Sequence, residues 1–387
     1  MCDSLQENHA PGTKKLAVTK AIGTVLAHDI TEIRPGEFKG CAFRKGHVIR
    51  PEDVCHLQRL GKEHLFVLHI SDDEMHEDEA AYGLAHALMG EGVRIKGEPR
   101  EGKITIIAGT DGLLKIDKDS LLALNMLGDV MCATLHNNTL VKKGQTVAGT
   151  RAIPLVVKRA VVGEAVRIAK CRGEVSSPSS GRQGDPAPAT ETGEIEIQDP
   201  KSGREEVRGI IEVKALRKPR AGVVITGNEV YHGRIKDAFG PIITEKVKAY
   251  GGEVVGIYYA PDDESSIEAR LRELMDAGAD LLITTGGMSV DPDDVTRFAI
   301  RKLGAADITY GSAVLPGAMF LAAYLGDIPI LGIPACGMYA KTTIFDLVLP
   351  RVLAGEKIGR RELAELGHGG LCMKCGVCTY PVCPFGK

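Results

Sequence analysis

Between residues 216 and 359, near-continuous apolar runs take turns with amphipathic segments. AGVVITG, EVVGIYYAP, DLLITTGG and IPILGIP read as strands, because each is short, apolar and bounded by Gly or Pro. PIITEKVKAYGG, SSIEARLRELMDAGA, DDVTRFAIRKLGA and AKTTIFDLVLPRVLAG read as helices. A strand that is apolar on both faces must be covered on both faces. Strands of this kind alternating with helices imply a doubly wound, mostly parallel α/β sheet with right-handed connections.

In an open sheet of that class, ligands bind beyond the carboxyl ends of the strands. The polar residues of this segment gather there. Thr226, Gly227, Asn228 and Glu229 follow the first strand. Thr284, Thr285, Gly286, Gly287, Met288 and Ser289 follow another, with Asp291, Asp293 and Asp294 beyond them. Pro334, Ala335, Cys336 and Gly337 follow the last. Glycines admit an anion close to backbone N–H groups, and a following helix N-terminus favours negative charge. Carboxylates nearby are ligands of the type that Mg²⁺ takes alongside phosphate and water. The plainer reading of each phrase alone is a turn or a helix cap. Several such phrases in order point to a phosphorylated ligand.

The phrases TGNEVYHGRIKDAFGP, YYAPDDESSIEARL and ADLLITTGGMSVDPDDVTR resemble the molybdopterin-binding domain shared by molybdopterin molybdotransferases, adenylyltransferases and gephyrin-like proteins. The resemblance covers about residues 220–352 and implies the same doubly wound fold and a pterin phosphate in the crevice. Matched motif by motif, Thr226, Gly227 and Glu229 fall on a TG-x-E turn, with Asn228 inside it. Asp237 falls on the acid after a glycine turn, and Thr285, Gly286, Gly287 and Ser289 fall on an S/T-GG-x-S loop. Asp294 falls on the acid before a Thr, Pro316-Gly317 on a PG turn, and Pro334 at the start of the last loop, which carries Cys336 and Gly337. The opening phrase KAIGTVLAHDI also resembles the start of the molybdotransferase N-terminal region.

Two functions follow from the resemblance. In the first, the chain is a transferase that binds adenylylated molybdopterin and promotes molybdate insertion, with Glu229, Asp237 and Asp294 positioning Mg²⁺ or molybdate. In the second, it is a non-catalytic carrier, sensor or chaperone that delivers molybdopterin to a molybdenum enzyme. Three departures weigh toward the second. The serine-rich S-A-M-D-G-Y-A phrase is replaced by GEFKGCAFRKGH. The K-P-G-K-P loop reads Leu315-Pro316-Gly317-Ala318-Met319, without its lysines. The P-G-N-P-x-S loop reads Pro334-Ala335-Cys336-Gly337-Met338-Tyr339. Members of the family are often dimers, so the resemblance implies a homo-oligomer.

The rest of the chain is less telling. Residues 1–15 read as a loose leader and 16–70 as a small α/β arm, with Pro51 in a first helical turn and Gly61 at a helix end. Residues 71–172 read as a mainly β middle domain that opens on an acidic helix start (His76, Glu77, Asp78, Glu79), which looks solvated. Residues 173–206 are rich in Ser, Pro, Gly and Ala and read as a flexible linker. Aromatics at 4%, no Trp and a net charge of −3 argue against a nucleic-acid partner. No apolar stretch is long enough for a bilayer and the start lacks a signal-like core, so the expected location is the cytoplasm.

Six of the ten cysteines are scattered, and four close the chain in residues 360–387. Cys372, Cys375, Cys378 and Cys383 give C-x2-C-x2-C-x4-C-P, a set of thiols suited to Zn²⁺ or an iron–sulfur cluster. The spacing does not choose between the two. Cys336 reads as a nucleophile or a pterin neighbour, or more plainly as a small apolar filler.

Overall fold

The structure is a computed structural model that describes residues 13–34, 38–68, 70–170, 209–287 and 295–387. The linker read at 173–206 lies outside the described residues. The chain forms two compact units: Met1–Gly109 with Ile116–Leu135 and Gly144–Glu212, and Val213–Lys387 with Thr110–Lys115 and His136–Lys143.

In the first unit, Thr13–Ala17 pairs antiparallel with His64–Leu68, and Ile30–Arg34 with Phe38–Phe43. Helix Asp53–Arg59 starts just after Pro51. A small core of Val18, Leu26, Ile30, Phe43, Ile49, Leu57, Leu65 and Val67 holds this arm together. A four-stranded antiparallel sheet follows, in the order Val93–Arg100, Lys103–Ala108, Thr146–Ala152 and Val130–Thr134. The helix expected after the acidic stretch is Glu77–Leu88; Lys118–Asn125 and Arg159–Lys170 are further helices among the short β runs. His76 caps the first of these, its Nδ1 accepting the Asp78 N–H at 3.2 Å. Glu77, read as solvated, is instead only 3% exposed and pairs with Lys45. A buried carboxylate needs such a partner.

The second unit is the α/β layer structure. Its strands are β1 (Arg220–Thr226), β2 (Glu253–Ala260), β3 (Leu281–Thr285), β4 (Ala306–Tyr310), β5 (Leu321–Leu325) and β6 (Ile328–Ile333). They lie in the order β2-β1-β3-β6-β5-β4. The pairs β1–β2, β1–β3 and β3–β6 are parallel, whereas β5 is antiparallel to both of its neighbours. The mostly parallel sheet expected from the alternation is present, and β4 and β5 add an antiparallel edge to it.

Side-chain alternation shows how both faces are covered. Ala221, Val223, Ile225, Leu281 and Ile283 pack in one core with Phe239, Ile243 and Val247 of α2 (Phe239–Ala249) and with Ile344, Val348 and Val352 of the closing helix (Ile344–Leu353). Val224 and Leu282 point the other way, onto Ile267, Leu271 and Leu274 of α3 (Glu264–Asp276) and Ala299 and Ile300 of α4 (Thr296–Lys302). The closing helix, α5, is capped at its start: the Asp346 carboxylate accepts the Thr343 N–H at 2.7 Å, and the Thr343 hydroxyl accepts the Phe345 N–H at 3.2 Å. The chain leaves β1 to one side for β2 and returns to the other side for β3, so the switch point lies at the carboxyl ends of β1 and β3.

Candidate functional site

At that switch point, two buried threonines hold a glycine turn. Thr226 ends β1 and is 4% exposed; its hydroxyl donates to the Thr285 carbonyl at 2.9 Å. Thr296, fully buried at the start of α4, donates to the Gly286 carbonyl at 3.1 Å and lies 3.4 Å from the Thr226 hydroxyl. Gly286 and Gly287 have φ of +79° and +54°. A Cβ at Gly286 would stand 2.5 Å from the Thr226 carbonyl oxygen, and one at Gly287 2.5 Å from Thr296 Oγ1. Glycine is required here twice over, by backbone sign and by space. Thr226 and Thr285, read from the sequence as ligand residues, lie beneath the turn, and Thr226 acts as a brace.

The turn forms one wall of a cavity of about 550 Å³. Leu315–Met319, between β4 and β5, forms a second wall, and Pro334, Ala335 and Cys336 after β6 a third. Gly317 (φ +134°) lets the second loop pass against Ile344, and its shape is tied by Ser312 Oγ donating to the Gly317 carbonyl at 3.0 Å. The volume lies in the range of small-ligand sites. Of the residues read from the sequence, the cavity brings together Gly286, Gly287, Pro316, Gly317, Pro334 and Cys336. Gly337 is buried behind it; a Cβ there would meet Ile333 at 2.8 Å, so this glycine serves packing. Leu371 and Lys374 complete the lining from the cysteine segment. The sequence shows Lys374 only as a spacer between two cysteines, and nothing local marks it as part of the crevice.

The acidic residues lie elsewhere. Glu229 and Asn228 are exposed on the short helix α1 (Asn228–Tyr231) after β1. Asn228 exchanges hydrogen bonds with Asp262: its N–H donates to Oδ2 at 3.0 Å, and its side-chain oxygen accepts the Asp262 N–H at 3.4 Å. Glu229 folds back beside Gly227 (φ +132°). Asp237 is committed to the start of α2, accepting the N–H of Phe239 at 2.7 Å and of Gly240 at 3.1 Å. Its other contact is the Tyr259 hydroxyl at 3.3 Å. None of these residues lines the 550 Å³ cavity. Ser289 and Asp294, with Asp291 and Asp293, fall outside the described residues.

The cysteine segment is docked rather than loose. Leu315 N–H donates to the Gly370 carbonyl and Cys372 N–H to the Leu315 carbonyl, both at 2.8 Å. The Tyr380 hydroxyl donates to the Asp346 carbonyl at 3.0 Å, and Phe385 is buried in the core beneath α5. Cys372, Cys375, Cys378 and Cys383 line one cavity of about 470 Å³ together with Cys336 and Thr342. Among the described residues, no three Cys, His, Asp or Glu side chains stand close enough together to hold a metal ion in this arrangement. The thiols differ in acidity. The Thr342 hydroxyl, 3.3 Å from Cys378 Sγ, pulls the Cys378 thiol below its ordinary value, whereas burial pushes Cys336 up. Among the described residues, no helix is long and apolar enough to cross a membrane.

Comparison with known proteins fits this geometry. Residues 222–354 match a family model described as "Probable molybdopterin binding domain", and residues 15–69 match a domain of unknown function, DUF8806. A CinA-like protein of Mycobacterium avium (strain 104) is 44% identical over 89 residues, which are 22% of this chain and 20% of that protein. A CinA-like protein of Mycobacterium tuberculosis (strain ATCC 25177 / H37Ra) is 43% identical over 83 residues, 21% and 19% of the two chains. The chain therefore spans about a fifth of the length of the curated relatives it matches. Among solved structures, the molybdopterin biosynthesis enzyme MoaB of Thermus thermophilus is 25% identical, with a TM-score of 0.31, over 36% of this chain and 98% of that one. Residues 222–354 are thus similar to a probable molybdopterin-binding domain. The CinA-like relatives were not apparent from its motifs.

Proposed function

We propose that the second unit binds molybdopterin in the 550 Å³ cavity and that the chain hands it on as a carrier, sensor or chaperone within molybdenum cofactor assembly. The cavity's position carries this reading: it opens where the carboxyl ends of β3 and β6 meet, against the Gly286–Gly287 turn, and all of its lining except Leu371 and Lys374 belongs to the region that matches the pterin-binding model. Backbone N–H groups of a glycine turn suit a phosphate, and the largely apolar walls suit a flat pterin.

A delivery role is favoured over insertion by what the acidic residues do. Asp237 spends its carboxylate on the start of α2, and Leu315 and Ala318 stand where the related loop has lysine. The second reading, molybdate insertion into adenylylated molybdopterin with Mg²⁺ on Glu229, Asp237 and Asp294, would require Asp237 to release those two N–H groups. Restoring cofactor activity to extracts that lack the insertase would establish the second reading over the first.

The tail is proposed to take Zn²⁺ or an iron–sulfur cluster on Cys372, Cys375, Cys378 and Cys383. The donor set fits a soft metal, and the four thiols already face one space. Loading would draw them closer than they stand here. The receiving partner would be a molybdenum enzyme, and the working form a homo-oligomer.

Fluorescence titration with oxidised phosphopterin tests the binding reading. Wild-type protein should bind it, and Gly287→Trp, which fills the turn, should weaken binding at least tenfold. Unchanged affinity in a folded Gly287→Trp protein would place the ligand elsewhere.

A further inference from the structure

The 550 Å³ cavity is walled largely by glycine, proline and apolar side chains. Among the described residues, Cys336 is its one thiol, and burial raises that thiol's pKa, so it brings no charge at neutral pH. Among the described residues, Lys374 is the one charged side chain in the lining. It comes from the cysteine segment, far along the chain from the loop whose related sequences carry lysine. That loop, Leu315–Met319, presents Leu315 and Ala318 at the two lysine positions, and Met319 Sδ accepts the Tyr310 hydroxyl at 3.2 Å.

The backbone places Lys374 there by specific means. Leu371 bridges Leu315 in parallel, fixed by the two 2.8 Å bonds through Gly370 and Cys372. Gly370 makes this close approach possible, since a Cβ there would lie 2.7 Å from the Ala313 carbonyl oxygen. The chain then turns sharply. Lys374 has φ +52°, a conformation costly for a residue with a Cβ, and its N–H donates to Cys372 Sγ at 3.5 Å. Strain of this kind at a cavity-lining lysine is the pattern expected where a side chain is held for binding.

We infer that the cysteine segment is a wall of the ligand site, and that Lys374 supplies the cation that recognises the ligand's phosphate, in place of the lysines absent from the 315–319 loop. This rests on the pterin-binding reading above. It adds that specificity for the phosphorylated ligand comes from a segment outside the matched domain. Lys341 provides a built-in control, because it lines the thiol cavity but not the ligand cavity.

The test is a two-by-two titration: wild type and Lys374→Ala, each with oxidised phosphopterin and with the same pterin after phosphatase treatment. A lysine–phosphate contact is worth about tenfold or more in affinity. Lys374→Ala should therefore lose about tenfold on the phosphopterin and under about twofold on the dephosphorylated pterin. Lys374→Arg should recover most of the loss, and Lys341→Ala should leave both affinities unchanged. Equal losses on the two pterins, or no loss on either, would overturn the assignment while leaving the pterin reading intact. Failure of wild-type protein to bind either pterin would overturn both.

Discussion

A single methyl group at Gly287 should set the braced turn against its own support. The Cβ of Gly287→Ala would sit 2.5 Å from Thr296 Oγ1, the atom that donates to the Gly286 carbonyl. Alanine at φ +54° costs about 1–2 kcal/mol by itself. Pushing the Thr296 hydroxyl off its acceptor leaves a buried polar pair unsatisfied, for about 1–3 kcal/mol more. The expected loss is then about 2–5 kcal/mol, and each kcal/mol lowers the melting temperature of a unit this size by roughly 2–4 °C. Thr296→Ala alone should cost about 1–2 kcal/mol through the stranded carbonyl. In Gly287→Ala/Thr296→Ala the methyl has room, so the combined loss should fall short of the sum by about 1 kcal/mol or more. Gly286→Ala meets the Thr226 backbone instead, and truncating Thr296 should not rescue it. Calorimetric unfolding of wild type, Gly287→Ala, Thr296→Ala, Gly286→Ala and the two double variants reads all of this. Strictly additive losses for the Gly287–Thr296 pair would refute the claim that the threonine braces the turn.

Three further outcomes follow from other parts of the second unit. Arg351, 4% exposed, grips Glu356 with Nε at 2.9 Å, and Lys115 Nζ adds a 3.0 Å contact. Burial pushes the Glu356 carboxyl up, but the hydrogen bond and charge of Arg351, with Lys115, outweigh it and hold the pKa at about 2, below the ordinary 4.5. The unfolded chain therefore takes up the proton first. Stability from this pair is complete above pH 4.5 and is lost as pH falls toward 2, amounting at most to about 3 kcal/mol; Glu356→Gln should abolish that part of the acid dependence in pH-resolved melts. Alkylation followed by peptide mapping should label Cys378 before Cys336, and Thr342→Val should slow Cys378 by removing the hydroxyl beside it. Asp237→Ala should cost about 1 kcal/mol through the start of α2 while leaving phosphopterin affinity the same with and without Mg²⁺; an Mg²⁺-dependent loss would make Asp237 a metal ligand.

The doubly wound sheet was legible because β1, β2, β3 and β6 are apolar on both faces, and burial on both faces leaves few other arrangements. The antiparallel edge was not. ADITY and LAAYL are short and sit among Gly and Pro; LAAYL becomes a strand by pairing with β6 through the turn at Gly326, and ADITY by pairing with LAAYL. At the site, glycine and proline phrases after strands located the cavity walls, since positive φ and close approach leave a direct trace in residue type. Hydroxyl direction leaves none: Thr226 reads equally as a ligand contact or a brace, and only the 2.9 Å bond to Thr285 decides. Lys374 was hidden for a different reason. Its role depends on pairing between Leu371 and Leu315, a contact across 56 residues that no local pattern encodes.

The most direct measurement is the pterin content of the full chain purified without oxygen, read as the fluorescent product after oxidation and repeated on apoprotein incubated with molybdopterin. The account predicts bound pterin approaching one equivalent per chain after incubation, lost in Gly287→Trp. No pterin in either sample would mean that the unit keeps the sheet and the glycine turn but holds a different ligand, and the proposed function would fall.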